Sequence, residues 1–311
     1  MQQKQSPRTP WLTIILVLVV LSIFSVIIAG AIGLFLGVGS TAESITVGNV
    51  AVIPVEGPIV TTPSAGLGKR EVVSDDLIGL IEKAEKDTSI KAIVFAINSP
   101  GGSPVASDEI AAAIKSTNKT SVAWIRDLGA SGAFWIATAT DHVIANPASF
   151  AGSIGVIGSY LEFGNFLSDY NVTYRRLTAG KYKDMGSPFK TMTPEEQALF
   201  QQSLDELHTG FINAVAENRK LSPETVRTLA TGQFYTGLQA KNVGLVDELG
   251  GRKEVMAYLK QQLKTDITLV PFKKPKSFFE RLAESFSNTG FSVGLGIGES
   301  LKGEKDVGAK V

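Results

Sequence analysis

The sequence predicts an α/β fold with a mostly parallel sheet covered by helices, preceded by one long apolar helix. Three observations predict it. Segments rich in β-branched residues alternate with segments of helical periodicity, which implies crossover connections between parallel strands. Glycine-rich turns fall where strands hand over to helices. No charge lies between Arg8 and Glu43, and Trp11 to Gly37 is almost continuous Leu, Ile, Val and Phe.

That apolar run exceeds the about 20 residues a helix needs to cross a bilayer core, and it has no polar face. Lys4, Arg8 and the amino terminus precede it with no acid among them. By the positive-inside rule residues 1–10 stay cytoplasmic and the rest is exported. Residues 11–37 therefore read as a single-pass anchor in the cell membrane. A cleaved signal peptide is the other reading, with cleavage near Ser40 to Glu43, but its apolar region spans only about 7–15 residues. Residues 38–46 form a small-residue linker, and residues 47–272 the main domain. Residues 273–311 form a tail rich in Gly, Ser and Lys, read as flexible; within it Phe279, Leu282, Ala283 and Phe286 share one face of a short amphipathic stretch.

Within the main domain, strands are expected at residues 50–55, 91–97, 121–125, 142–145, 154–160 and 173–177. Residues 61–69, rich in Thr, Pro and Gly, form a loop. Helices are expected at 75–86, where Leu77, Ile78, Ile81 and Ala84 keep helical spacing, and at 105–115 and 132–140. A long helix over 194–219 starts after Thr193 as N-cap, with Glu195 and Glu196 in its first turn.

The 30 basic and 30 acidic residues cancel, leaving no basic excess of the kind nucleic acid attracts. There is no cysteine, which excludes disulfides, thiolate metal sites and a cysteine nucleophile. Nothing in the sequence calls for a metal or another cofactor.

Two strand-to-helix turns carry chemistry. In Asn98-Ser99-Pro100-Gly101-Gly102 the paired glycines let a ligand approach the main chain, and freed N–H groups make an anion site. In Gly129-Ala130-Ser131-Gly132-Ala133 small neighbours leave the Ser131 hydroxyl uncrowded, with the Gly132 N–H beside it as an oxyanion donor. The spacing follows the logic of a nucleophile elbow, with Ala in fifth place. A serine that merely caps the helix is the competing reading. Only two histidines exist. His142 starts a strand and His208 lies inside the long helix, so both read as structural or surface residues, and the base for a serine falls to a lysine. Lys183, or its neighbour Lys181, leaves a strand in an aromatic loop. Ser153 could hold a lysine amine, because a hydroxyl both donates and accepts.

Five stretches in order resemble the short form of signal peptide peptidase A, a serine endopeptidase family of the bacterial envelope. They are Asn98 to Gly102, Ala130 to Gly132, Gly152 to Val156, Tyr182 to Asp184 with Ser187 to Phe189, and Phe234 to Gly237 with Gly244 to Gly251. The resemblance implies a ClpP/crotonase-like fold of repeated β-β-α units. It implies Ser131 as nucleophile, Lys183 rather than Lys181 as general base, and Ser153 as the residue orienting that lysine. Gly102 and Gly132 would supply the oxyanion N–H groups. It also implies a homo-oligomer whose sites are shared between subunits, acting on signal peptides and other hydrophobic peptides, with the catalytic domain outside the membrane. Arg126 to Gly129 depart from the usual pattern. A peptide is expected to lie along Gly155, Val156, Ile157 and Gly158 by strand addition. Two alternatives remain: an NfeD-like protease that cuts a membrane protein, and an inactive envelope scaffold.

Overall fold

The computed structural model describes residues 11–37, 48–64 and 70–273. The chain divides after Val47 into two compact units. The expected linker, residues 65–69 of the expected loop, and the amphipathic stretch of the tail lie outside the described residues.

In the first unit Trp11–Gly37 forms one helix of 27 residues, α1, about 40 Å long at the usual rise per residue. Residues 14–28 are all exposed. Among the described residues no helix is long and apolar enough to cross a membrane.

The second unit begins with β1 (Val50–Glu56), β2 (Ile59–Val60), β3 (Val72–Val73), α2 (Ser74–Lys86) and β4 (Ala92–Ser99). It continues with α3 (Pro104–Ser116), β5 (Thr120–Ala130), α4 (Gly132–Thr138), β6 (His142–Ala145) and β7 (Phe150–Gly152). Next come α5 (Gly164–Asp169), α6 (Pro194–Arg219), α7 (Pro223–Leu229), β8 (Phe234–Thr236) and α8 (Gly237–Asn242). β9 (Glu248–Leu249), α9 (Arg252–Leu263) and β10 (Leu269–Pro271) follow. The sheet runs β10-β1-β4-β5-β6-β9. Every pairing along that path is parallel. β7 joins β5 in parallel, and β8 pairs β7 antiparallel.

The near-continuous apolar run of β4 reflects burial on both faces, as parallel sheets require. Ile93, Phe95 and Ile97 pack with Ile53 and Val55 against Leu77 and Ile81 of α2 and Ile110 and Ile114 of α3. Ala92 and Val94 turn to the opposite face, with Val122 and Ile144, against Val255 and Leu259 of α9. Each fully buried Ile or Phe contributes roughly 1.5–3 kcal/mol.

β5 is longer than its expected span, and its length matters. Its first half pairs with β6, Val122↔His142 to Ile125↔Ala145. Its second half pairs with β7, Leu128↔Phe150 to Ala130↔Gly152. The exposed Arg126 and Asp127 mark the change of partner. Two expected strands are absent: residues 154–160 and 173–177 form no ladder. Their β-branched composition favours extension, but a strand exists only where a neighbour accepts its hydrogen bonds. In their place the short β7 and β8, unforeseen, complete the sheet beside the long strand.

α6 has the expected bounds and cap. Thr193 Oγ1 accepts from the Glu196 N–H at 3.2 Å, and the Glu196 carboxylate accepts from the Thr193 N–H at 3.0 Å. Phe211 of α6 stacks on Trp135 of α4 at 4.9 Å between ring centroids, which seats α6 beside the end of β5. Glu196 also pairs with Lys190 at 2.6 Å. The Lys190 hydrogen bond first, then that from Thr193, holds the Glu196 carboxyl down at about 2. Its folded value lies below its unfolded one, so its stabilisation is complete above about pH 4.5 and is lost as pH falls towards 2. The stability gap between wild type and Glu196→Gln, measured by urea denaturation, is therefore expected to close between about pH 5 and pH 2. A gap that stayed constant over that range would mean that the charge does not hold the start of α6.

Candidate active site

The carboxyl ends of β4 and β5 lie side by side, because the two strands pair from Ala92↔Thr120 to Ser99↔Gly129. In an open parallel sheet that is where sites gather. The turn after β4 and the turn after β5 are consequently pressed together. A Cβ added to Gly101 would lie 2.6 Å from the Gly132 nitrogen and 2.9 Å from Ser131 Cβ. One added to Gly132 would lie 2.2 Å from Ser107 Oγ. Only glycine fits at 101, where the obstructing atoms are main chain and φ is +90°, while a side chain at 132 would have to displace Ser107.

Ser99, fully buried, orders the first turn. Its hydroxyl donates to the Gly57 carbonyl at 2.7 Å and accepts from the Gly101 N–H at 3.1 Å. β2 straps the turn from outside: Ile59 N–H donates to the Gly101 carbonyl, and Ser103 N–H donates to the Ile59 carbonyl. The Gly102 N–H between them donates to no acceptor among the described residues.

The second turn is strained. Ser131 sits at φ 51° and ψ −126°, a left-handed backbone uncommon outside glycine. Three hydrogen bonds hold it there. Its N–H donates to the Gly152 carbonyl at 2.8 Å, and its carbonyl accepts from Phe134 and Trp135 at 2.9 and 3.0 Å. The side chain does not cap α4, so the capping reading fails and the hydroxyl is left without a partner among the described residues. One residue past Gly152, Ser153 is also left-handed, at φ 50°. Its N–H donates to the Gln233 carbonyl at 2.9 Å and its hydroxyl to the Gly232 carbonyl at 3.2 Å.

These residues open on a cleft of about 660 Å³. Ser131, Ser153, Gly102 and Gly132 all line it. Gly155, Val156 and Ile157 line it too, whereas Gly158 does not. A Cβ on Gly158 would lie 2.5 Å from the Phe200 ring, so that backbone packs against α6.

Residues 113–266 match the profile of peptidase family S49. A provisionally named protease of Methanocaldococcus jannaschii is 34% identical over 242 residues, 75% of this chain and 76% of the relative. A provisionally named signal peptide peptidase SppA of Enterococcus faecium is 32% identical over 232 residues, 73% of this chain and 67% of the relative. The chloroplast serine protease SPPA of Arabidopsis thaliana is 29% identical over 259 residues, 81% of this chain and 37% of that longer protein. This chain belongs to peptidase family S49. It is a serine peptidase.

Within the S49 domain the two candidate lysines differ sharply. Lys181 Nζ bonds both carboxylate oxygens of Glu195, at 2.8 and 2.7 Å, and lies 4.9 Å from the Tyr182 ring. The Glu195 bond first, then Tyr182, pushes its pKa well above the ordinary lysine range. Lys183 is exposed, and its amine has no partner among the described residues. It does not line the Ser131 cleft of its own chain. His208 does line it, a position that its place inside the long helix did not announce. Helical periodicity gives the face of α6 but not the element it meets, and the Trp135–Phe211 stack is what brings that face to the cleft. Among the described residues no cluster of His, Cys, Asp and Glu could hold a metal ion.

Ser99→Ala leaves the buried Gly101 N–H and the half-buried Gly57 carbonyl without this partner, a cost of about 1–3 kcal/mol. It is expected to lower stability by that amount in urea denaturation and to lower kcat more than it raises KM, because it loosens the turn that carries the Gly102 N–H. Unchanged kcat would detach Ser99 from the site.

Proposed function

We propose that this S49 peptidase is a membrane-anchored endopeptidase that degrades peptides, released signal peptides among them, with Ser131 as nucleophile and Lys183 as general base. The observation that carries the reading is the unbonded Ser131 hydroxyl, held on a left-handed turn in a cleft and pressed against the Gly101-Gly102 turn. Neutral Lys183 takes the hydroxyl proton as Ser131 Oγ attacks the scissile carbonyl. The oxyanion rests on the N–H groups of Gly102 and Gly132, each worth roughly 3–4 kcal/mol in the transition state. Lys183 returns the proton to the leaving amine as the C–N bond breaks. Water, deprotonated by the same lysine, then cleaves the acyl-enzyme and restores Ser131. Ser153 donates to the Gly232 carbonyl and keeps its lone pairs to orient the lysine N–H.

Lys183 comes from a neighbouring subunit in this reading. Support lies in the surface of the stretch that carries it. Ile157, Leu161, Tyr170 and Leu177 are 90%, 72%, 69% and 99% exposed, apolar side chains that a subunit contact would cover. A subunit contact that covers them also strips water from Lys183, and burial favours the neutral amine a base must be. Residues 155–157, extended beyond β7 without a ladder partner, offer their edge to the peptide backbone. The fold is read as ClpP/crotonase-like, with its domain at 47–272. α1, preceded by Lys4 and Arg8, supports a single pass with the amino terminus cytoplasmic and the peptidase domain outside.

Ser131→Ala and Lys183→Ala are each expected to abolish peptide hydrolysis, whereas Lys181→Ala and added EDTA leave it in place. Co-assembly of the two inactive variants is expected to restore part of the activity, because mixed contacts pair an intact Ser131 with an intact Lys183. Full turnover by Lys183→Ala removes the dyad. No recovery from verified mixed oligomers removes the shared site.

A further inference from the structure

Lys183 leaves the main chain in a run of turns, not in a helix or a strand. The main-chain bonds there are local. Lys183 N–H donates to the Gly180 carbonyl at 3.3 Å, Met185 N–H to Tyr182 at 3.1 Å and Ser187 N–H to Asp184 at 3.0 Å. Such turns shape the segment but do not fix it against the rest of the subunit. Side chains do that, from two sides. On the outer side Lys181 and Tyr182 bond Glu195, an exposed carboxylate, and exposed pairs are worth little. On the inner side Asp184 turns into the protein, its side chain 9% exposed. Its carboxylate lies 2.8 Å from Arg176 Nε and 3.5 Å from Lys190 Nζ. These are ion pairs and not aligned hydrogen bonds, since neither oxygen has a hydrogen-bond partner among the described residues. Lys190, 16% exposed, in turn pairs with Glu196 at 2.6 Å. Glu196, 4% exposed, closes the cap of α6 with Thr193. Charges so far from water are screened little, so the inner chain outweighs the outer pair.

We propose that Asp184 is a positioning residue for Lys183: with Lys190 and Glu196 it clamps the lysine-bearing segment to the first turn of α6. The two neighbours face opposite ways, Asp184 inward and Lys183 outward. The anchor of one therefore sets the place from which the other leaves its subunit. A group that moves protons has to be held within about 0.5 Å of its working position, and a turn offers no ladder to hold it. Removing one partner of a buried pair leaves the remaining charge uncompensated, so the segment shifts when Asp184 is neutralised. This inference rests on the reading of Lys183 as general base and names what holds that base in place.

Asp184→Asn keeps the size of the side chain and removes its charge. It is expected to lower kcat by about 10- to 100-fold, the effect of a displacement of about 1 Å. KM stays within about twofold, because the loss falls on the transition state. Asp184→Glu, which keeps the charge, returns part of the rate. Thermal midpoints verify folding, and Lys190→Gln, with the same expected split, carries the test where Asp184→Asn does not fold. Mixed assemblies separate a clamp from general damage to the chain. With Ser131→Ala chains, the Ser131 of an Asp184→Asn chain meets an intact Lys183 segment, and activity rises to that of the reference pair, Ser131→Ala with Lys183→Ala. With Lys183→Ala chains no such rise occurs. Wild-type kcat in Asp184→Asn overturns the proposal, as does an equal rise with either partner. No recovery in the reference pair removes the shared site, and the kcat of the single variants then decides the clamp. Full turnover by Lys183→Ala is a different outcome, removing the base and its positioning residue together.

Discussion

The hydrogen bond from Ser131 N–H to the Gly152 carbonyl is the constraint on which the site depends. It is the last rung of the ladder between β5 and β7. It fixes the backbone at the moment the chain leaves the sheet, and it ties the Ser131 turn to the residue before Ser153. A left-handed non-glycine backbone costs of order 1–3 kcal/mol and persists only where its surroundings over-determine it. Here the two carbonyl bonds into α4 and the glycine contacts from the neighbouring turn do so. The rest of the sheet serves to hold those pieces still. Two buried faces keep β4 and β5 in register, and Ser99 and Ile59 hold the facing turn in place.

Two serines in adjacent left-handed turns form one unit. Ser131 follows β5 and Ser153 follows β7, and the two strands pair directly before each. Neither hydroxyl is spent on helix capping. One has no partner among the described residues, and the other donates to a carbonyl and keeps its lone pairs. Because Ser153 N–H is anchored on Gln233, the loop before β8 takes part in the same unit, and so does the cleft wall at Gly232.

Much of this was legible from local pattern. Residues 142–145 and 194–219 were read with their observed bounds because a cap or a burial period marks their ends. The glycine turns were legible because paired glycines beside a lone serine have few other uses. What escaped depends on partners remote in sequence. Residues 154–160 have strand composition and no strand, while β7 and β8, three residues each, are strands only because β5 runs long enough to receive them. Chemistry alone left Lys181 and Lys183 level, and the family resemblance singled out Lys183; that Lys181 pairs with Glu195, fourteen positions on, is a contact no spacing rule announces. The place of His208 along the cleft escaped for the same reason, since nothing local says that α6 stacks on α4.

The left-handed turn also restricts which chemistries this scaffold can host. A second heavy atom on Cβ at φ 51° collides with the main chain, so a β-branched side chain is a genuine outlier there. A threonine cannot take over the attacking role without bending the strand end that positions it. A thiol, unbranched and of similar length, meets no such barrier. The range of nucleophiles open to this elbow is therefore set by backbone sterics ahead of any question of reactivity.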